Sequence, residues 1–318
     1  MLVTITHGRY GHRSKKMHYK IMRHYYPHHN YYHAMASVAT SIVLMLSALP
    51  LAHASTLQES PLVHFTSYRE GYPMVAIGDS TMALAPTAVK KVDSILGKCQ
   101  RNVKTWPQQV AERQRLELAD LSCGGTTSLS YWKLGNSLDV LGRKTQLVVV
   151  SYGSNDMRVY PQMVRDNLWF GTAPYLHHPT QSFVEENLVR VLKDIRHRAP
   201  NATIMTVGYL PLVEGLQCRQ LPHMTRIEMA RMAMLRQQAD NALSHATMRA
   251  SLSRHGDKIM HDRLMHNLSL VNVSGHSLCS VTSQRFILHH EIIGQHYHYT
   301  MRGVRFVASA VNWKLAHI

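Results

Sequence analysis

The sequence predicts an α/β fold of three layers, with helices on both sides of a central parallel sheet of about five strands. Three observations carry this. The run Gln146-Leu147-Val148-Val149-Val150-Ser151 is continuously apolar and β-branched, the pattern of a strand buried on both faces. An amphipathic helix separates it from a second strand, Thr203–Gly208, making a β-α-β unit and hence a parallel pairing. Several strands end in small or polar residues, the composition expected where the carboxyl edge of an open sheet meets a ligand.

The first 54 residues stand apart. Met1 to His33 is rich in His, Tyr, Lys and Arg, an apolar run follows from about Ala34 to Leu51, and Ala52-His53-Ala54 forms a small-x-small site before Ser55. This is the pattern of an export signal, with an uncleaved membrane anchor as the alternative and Met17, Met22 or Met35 as alternative starts. The expected organisation is a signal over 1–54 and one domain over 55–318. Export permits disulfides. The eight histidines from His7 to His53 lack regular ligand spacing, so no metal site is expected there.

The formal net charge is +16, with 17% charged and 45% hydrophobic residues. This composition excludes a disordered chain and a multispan membrane protein. Arg9, Arg13, Lys15, Lys16, Lys20 and Arg23 belong to the leader, which contains no acid, and the remainder is still basic. A basic surface favours anionic partners such as lipid headgroups or acidic polysaccharide, including transient contact with a membrane or envelope surface. No basic stripe interleaved with aromatics is present, so nucleic acid is not expected as a partner.

The first strand, Met74–Ile77, empties into Gly78-Asp79-Ser80-Thr81. This placement suits a nucleophilic serine, although Gly-Asp-Ser is also a common turn tripeptide. Thr81 to Leu96 is read as including a helix, and Trp106-Pro107 opens another over Gln108–Gln114. A short strand near Leu116–Ala119 leads to Cys123-Gly124-Gly125-Thr126, where paired glycines permit close backbone approach to a ligand. The run ending at Ser151 is followed by Gly153-Ser154-Asn155-Asp156.

Residues 158–180 are irregular, and Trp169, Phe170 and Tyr175 suit either a pocket wall or a plain surface loop. Ser182-Phe183-Val184-Glu185 reads as a capping box, with Val184, Leu188, Val191, Leu192 and Ile195 on one helical face. Thr225-Arg226-Ile227-Glu228 is a second capping box, opening a helix to about Met248 whose methionines read as filler. A last strand near Leu268–Val273 precedes Gly275-His276. His298-Tyr299-Thr300 then leads into a terminal helix carrying Val304, Val307, Ala308 and Val311.

Four blocks together resemble the SGNH (GDSL-type) hydrolase superfamily, in its secreted, disulfide-bearing esterase and lipase branch. They are Gly78-Asp79-Ser80, Cys123-Gly124-Gly125-Thr126-Thr127, Gly153-Ser154-Asn155-Asp156 and His298-Tyr299-Thr300-Met301-Arg302-Gly303. Each block is weakly specific, and their order and spacing over about residues 72–312 make the set strong. The resemblance implies a flavodoxin-like sheet and a carboxylic-ester hydrolase without cofactor or metal. Ser80 is then the nucleophile, His298 the base, and the N–H of Ser80, the N–H of Gly124 and the side chain of Asn155 the oxyanion donors. Asp79 is expected to bond locally in its turn.

The family's usual aspartate three residues before the histidine is here Gln295. Gln295 can still offer an oxygen to orient His298, without the charge. His276, His289, His290 and His296 are lesser candidates. Spacing allows three pairings of the four cysteines, and the resemblance implies Cys99–Cys123 and Cys218–Cys279. The expected protein is a monomeric secreted esterase or lipase acting on a small-molecule, lipid or glycan ester. Its rivals are an O-acetylesterase or acetyltransferase acting on polysaccharide, and a catalytically weak surface-binding protein on the same fold.

Overall fold

A computed structural model describes residues 70–86, 89–94, 97–162, 176–213, 221, 224–252, 268–273 and 298–318. All of them belong to one unit, Val63–Ile318. Residues 1–54, expected as an export signal, the aromatic segment with Trp169, Phe170 and Tyr175, Cys218, Cys279 and Gln295 lie outside the described residues. So do His276, His289, His290 and His296. Among the described residues no helix is long and apolar enough to cross a membrane.

The strands are β1 (Met74–Gly78), β2 (Val89–Ser94), β3 (Gly97–Asn102), β4 (Leu118–Asp120), β5 (Leu147–Ser151), β6 (Thr203–Val207) and β7 (Leu268–Val271). Five form a parallel sheet in the order β4-β1-β5-β6-β7. β1 and β5 occupy its middle, every residue of both is buried, and they pair in register from Met74 opposite Leu147 to Gly78 opposite Ser151. Their unbroken apolar runs are what a strand with two covered faces requires.

The chain leaves β1 for one edge strand, β4, then crosses back to β5 on the other side of β1. The order therefore reverses between β1 and β5, and a crevice opens beyond the carboxyl ends of strands at such a switch point.

The helices are α1 (Ser80–Ala83), α2 (Trp106–Gln114), α3 (Gln181–Arg198), α4 (Arg226–Leu252) and α5 (Met301–Leu315), with two short 3₁₀ segments at Ser128–Lys133 and Gly135–Val140. α3 packs on α4, and α2 packs on α5. Val184, Leu188, Val191, Leu192 and Ile195 of α3 are all buried, as their spacing predicts. Burial of such side chains is worth about 1.5–3 kcal/mol each, which dominates the helix's stability. The Val304, Val307, Ala308 and Val311 face of α5 is likewise buried. Thr225 and Glu228 form the expected capping box on α4, with the Thr225 N–H donating to Glu228 Oε2 at 2.6 Å and the Glu228 N–H to Thr225 Oγ1 at 3.3 Å.

Two local expectations are corrected. The helix read into Thr81–Leu96 stops at Ala83, and β2 and β3 pair as an antiparallel hairpin. That hairpin is tied to distant groups: Arg101 Nε donates to the Ser122 carbonyl at 2.8 Å, and Asn102 Oδ1 accepts from the Ala85 N–H at 2.7 Å. A disulfide joins Cys99 to Cys123. Local periodicity carries no trace of such long-range ties. The cap of α3 is Thr180 rather than Ser182, its hydroxyl accepting from the Phe183 N–H at 3.3 Å. Threonine in extended backbone two residues earlier takes the capping position, so the first turn begins at Gln181 and Ser182 lies within it.

Candidate active site

Three loops at the carboxyl ends of β1, β4 and β5 build the site. Gly78 ends β1 where only a glycine fits, because a Cβ there would lie 2.2 Å from Met82 Sδ and 2.6 Å from the Ser151 carbonyl oxygen. Asp79 then caps α1. Its Oδ1 accepts from the Thr81 N–H at 2.9 Å and the Thr81 hydroxyl at 2.7 Å, the local bonding its turn predicts. Ser80 is the first residue of α1, so its N–H has no acceptor within the helix. The indole N–H of Trp106 donates to the Thr81 carbonyl at 3.1 Å and anchors this turn to α2.

The loop after β4 is drawn onto the same turn. The Cys123 N–H and the Thr126 hydroxyl both donate to the Gly78 carbonyl, at 3.0 and 2.9 Å. Gly124 comes to rest beside Ser80, where a Cβ on it would sit 4.0 Å from Ser80 Cβ. Gly125 follows with φ +76°, a conformation that favours glycine. The disulfide to Cys99 and the Arg101 bond to Ser122 hold the base of this loop. Asp120 at its start accepts from the Ser122 N–H and hydroxyl. Burial pushes the Asp120 carboxyl up, and Arg101 partly offsets this.

The loop after β5 is braced from both ends. Gly153 adopts φ +136° against the backbone of Ala239 on α4. Asp156 accepts from the Ser128 N–H at 3.0 Å and its hydroxyl at 2.5 Å, and burial raises its carboxyl above the usual range. Between them, Asn155 Nδ2 donates to the Thr126 carbonyl at 3.0 Å. An amide nitrogen carries two hydrogens, so this bond fixes the side chain and leaves a second N–H to donate.

Ser80, Asn155 and His298 line one cleft. His298 is buried, its ring tilted 48° to that of Tyr160 with centroids 5.6 Å apart. Val159, Leu210, Leu212 and Tyr299 supply apolar wall. Asp79, Tyr209 and Arg236 also reach the cleft. Asp79 is wholly buried, and desolvation outweighs its hydrogen bonds, raising its carboxyl from 3.8 to about 6.

The sequence assigns no site role to Tyr209, Tyr160 or Arg236, although Gly208-Tyr209 belongs to the family resemblance. Tyr209 had a readable signal, since it follows Gly208 just past a central strand, the same placement that drew attention to Ser80 and Asn155. Tyr160 and Arg236 had none, one lying in an irregular stretch and the other on a long helix of mixed composition.

Residues 76–264 match the family model described as the GDSL-like Lipase/Acylhydrolase family. The chain belongs to this family. Its members act on acyl esters, and the five-stranded parallel sheet is the fold of its solved relatives. Lipase 2 from Streptomyces coelicolor is 29% identical over 204 residues, which cover 55% of this chain and 64% of that protein. The chain thus spans less than two thirds of that relative's length. The extracellular lipase of Streptomyces rimosus shares the fold with a TM-score of 0.57 at 19% identity, covering 76% of this chain and 98% of that one. Phospholipase A1 from Streptomyces albidoflavus gives a TM-score of 0.59 at 18% identity, covering 77% and 99% respectively.

Proposed function

We propose that this GDSL-like protein is an exported carboxylic-ester hydrolase that works through an acyl-enzyme on Ser80. The observation that carries the reading is the convergence of Ser80, Asn155 and His298 on one cleft with Gly124 beside the serine. Ser80 Oγ attacks the ester carbonyl carbon while its proton passes to the His298 ring. The carbonyl oxygen becomes an oxyanion facing the N–H groups of Ser80 and Gly124 and the free amide hydrogen of Asn155. Collapse of this intermediate breaks the bond to the leaving alcohol, which takes the proton from His298. Water, deprotonated by the same ring, then releases the acid and restores the serine.

Donors aimed at charge that exists only in the transition state are worth about 3–4 kcal/mol each. Asn155 suits this role because its Thr126 bond orients it before substrate arrives. Gln295 is assigned as the acceptor that orients His298. An uncharged acceptor keeps the ring's direction and forgoes stabilisation of the imidazolium.

Export is supported by the leader over 1–54, by the Cys99–Cys123 disulfide and by the extracellular lipase among the relatives. The mature domain is then 55–318, a monomer carrying a second disulfide between Cys218 and Cys279. The apolar wall of Val159, Leu210 and Leu212 suits an acyl chain.

The test is labelling of the secreted protein with a fluorophosphonate followed by peptide mapping. A single adduct on Ser80, lost in Ser80→Ala together with turnover of p-nitrophenyl acetate, is the expected result. Unchanged turnover in Ser80→Ala removes the serine from the mechanism.

A further inference from the structure

The proposed nucleophile and base lie on segments far apart in sequence, so an element that touches both segments bears on their relative placement. Two consecutive residues just past β6 touch both. The Tyr209 hydroxyl donates to Asp79 Oδ2 at 2.8 Å, and Asp79 directly precedes Ser80. The Leu210 N–H donates to the Tyr299 hydroxyl at 3.3 Å, and Tyr299 directly follows His298.

We propose that Tyr209-Leu210 is the positioning element that sets the distance and angle between Ser80 and His298. This rests on the acyl-enzyme reading above and adds to it residues that act through the reacting groups.

The segment is rigid enough for the task. A guanidinium nitrogen of Arg236 donates to the Tyr209 carbonyl, and Arg236 is itself held by Asp240 at 2.7 Å, so α4 braces the element from behind. Tyr209, Leu210, Asp79 and Tyr299 are all buried, so water does not compete for these bonds. Burial and the neighbouring Asp79 carboxylate push the Tyr209 phenol well above its ordinary value, which keeps it protonated as a donor. Burial also raises the Tyr299 phenol. One bond end thus fixes the turn that presents the serine, and the other fixes the residue next to the histidine. Reacting groups displaced by about 1 Å lose roughly a hundredfold in rate, so a bond one residue away from each is enough to matter.

The test compares Tyr209→Phe and Tyr299→Phe with the parent on p-nitrophenyl acetate. Rates are expressed per active site by burst titration, beside the second-order rate of fluorophosphonate labelling and the melting temperature. Each variant removes one hydroxyl and keeps its ring, so packing is preserved. The expected result is a fall in per-site kcat and in labelling rate of about tenfold or more in both variants, with KM within twofold. The double variant is expected to fall by less than the product of the two single losses, because both hydroxyls serve one geometry. Wild-type per-site kcat and labelling in both variants overturn the proposal, as does a loss confined to the titratable fraction or to KM. Should one variant not fold, the other carries the test alone. Failure of the hydrolase reading is distinguishable, because it appears in the parent as absence of a Ser80 adduct.

Discussion

The hydroxyl of Tyr209 lies 2.8 Å from Oδ2 of Asp79, across 130 residues of sequence, and both groups are buried. The carboxylate next to the proposed nucleophile is therefore held by a phenol from just past β6, two strands across the sheet, as well as by its own turn. It remains costly to ionise, because desolvation exceeds what these bonds return.

That cost has a pH dependence. Asp79 binds its proton more tightly folded (about 6) than at its ordinary value of 3.8, so between these values the folded state holds more of the proton. Its contribution to stability therefore falls as pH rises through this window and levels off above it, by about 3 kcal/mol in all. Asp79→Asn keeps a capping oxygen and removes the charge. The melting-temperature difference, variant minus parent, is expected to grow between pH 4 and pH 6 and then plateau. A difference independent of pH contradicts this.

Asn155→Ala is expected to lower kcat on a short-chain ester by about a hundredfold to a thousandfold, with KM little changed. The amide acts on charge that appears after binding. Steady-state kinetics on p-nitrophenyl acetate measure the split, and a change confined to KM argues against an oxyanion role.

Gly78→Ala places a methyl group 2.6 Å from the Ser151 carbonyl, a backbone atom of the adjacent central strand that cannot step aside. Overpacking of this kind costs about 1–3 kcal/mol. Urea denaturation followed by circular dichroism is expected to show the midpoint lowered at an unchanged slope.

Cys99→Ser with Cys123→Ser opens a loop whose ends are 24 residues apart. Chain entropy puts the loss at about 3 kcal/mol. Because Cys123 precedes Gly124, the labelling rate with fluorophosphonate is expected to fall as well. Equal labelling at temperatures where both proteins are folded places the disulfide's role in stability alone.

The five strands of the sheet were readable before any coordinates, and so were the buried faces of α3 and α5. For β1, β5 and the two helices the determining force is burial, and burial writes a local period into the chain: unbroken apolar runs for the strands, a repeat of three and four residues for the helices. The polar residues that end β1, β4 and β5 were readable for a related reason, since a hydroxyl or amide directly after a buried strand needs somewhere to be used. The meeting of Ser80, Asn155 and His298 was expected only through the family resemblance, and tertiary structure alone decided the β2–β3 hairpin and the bond from Tyr209 to Asp79. These depend on strand order and register, which bring together residues far apart along the chain, and no local period records which distant loop will be the neighbour.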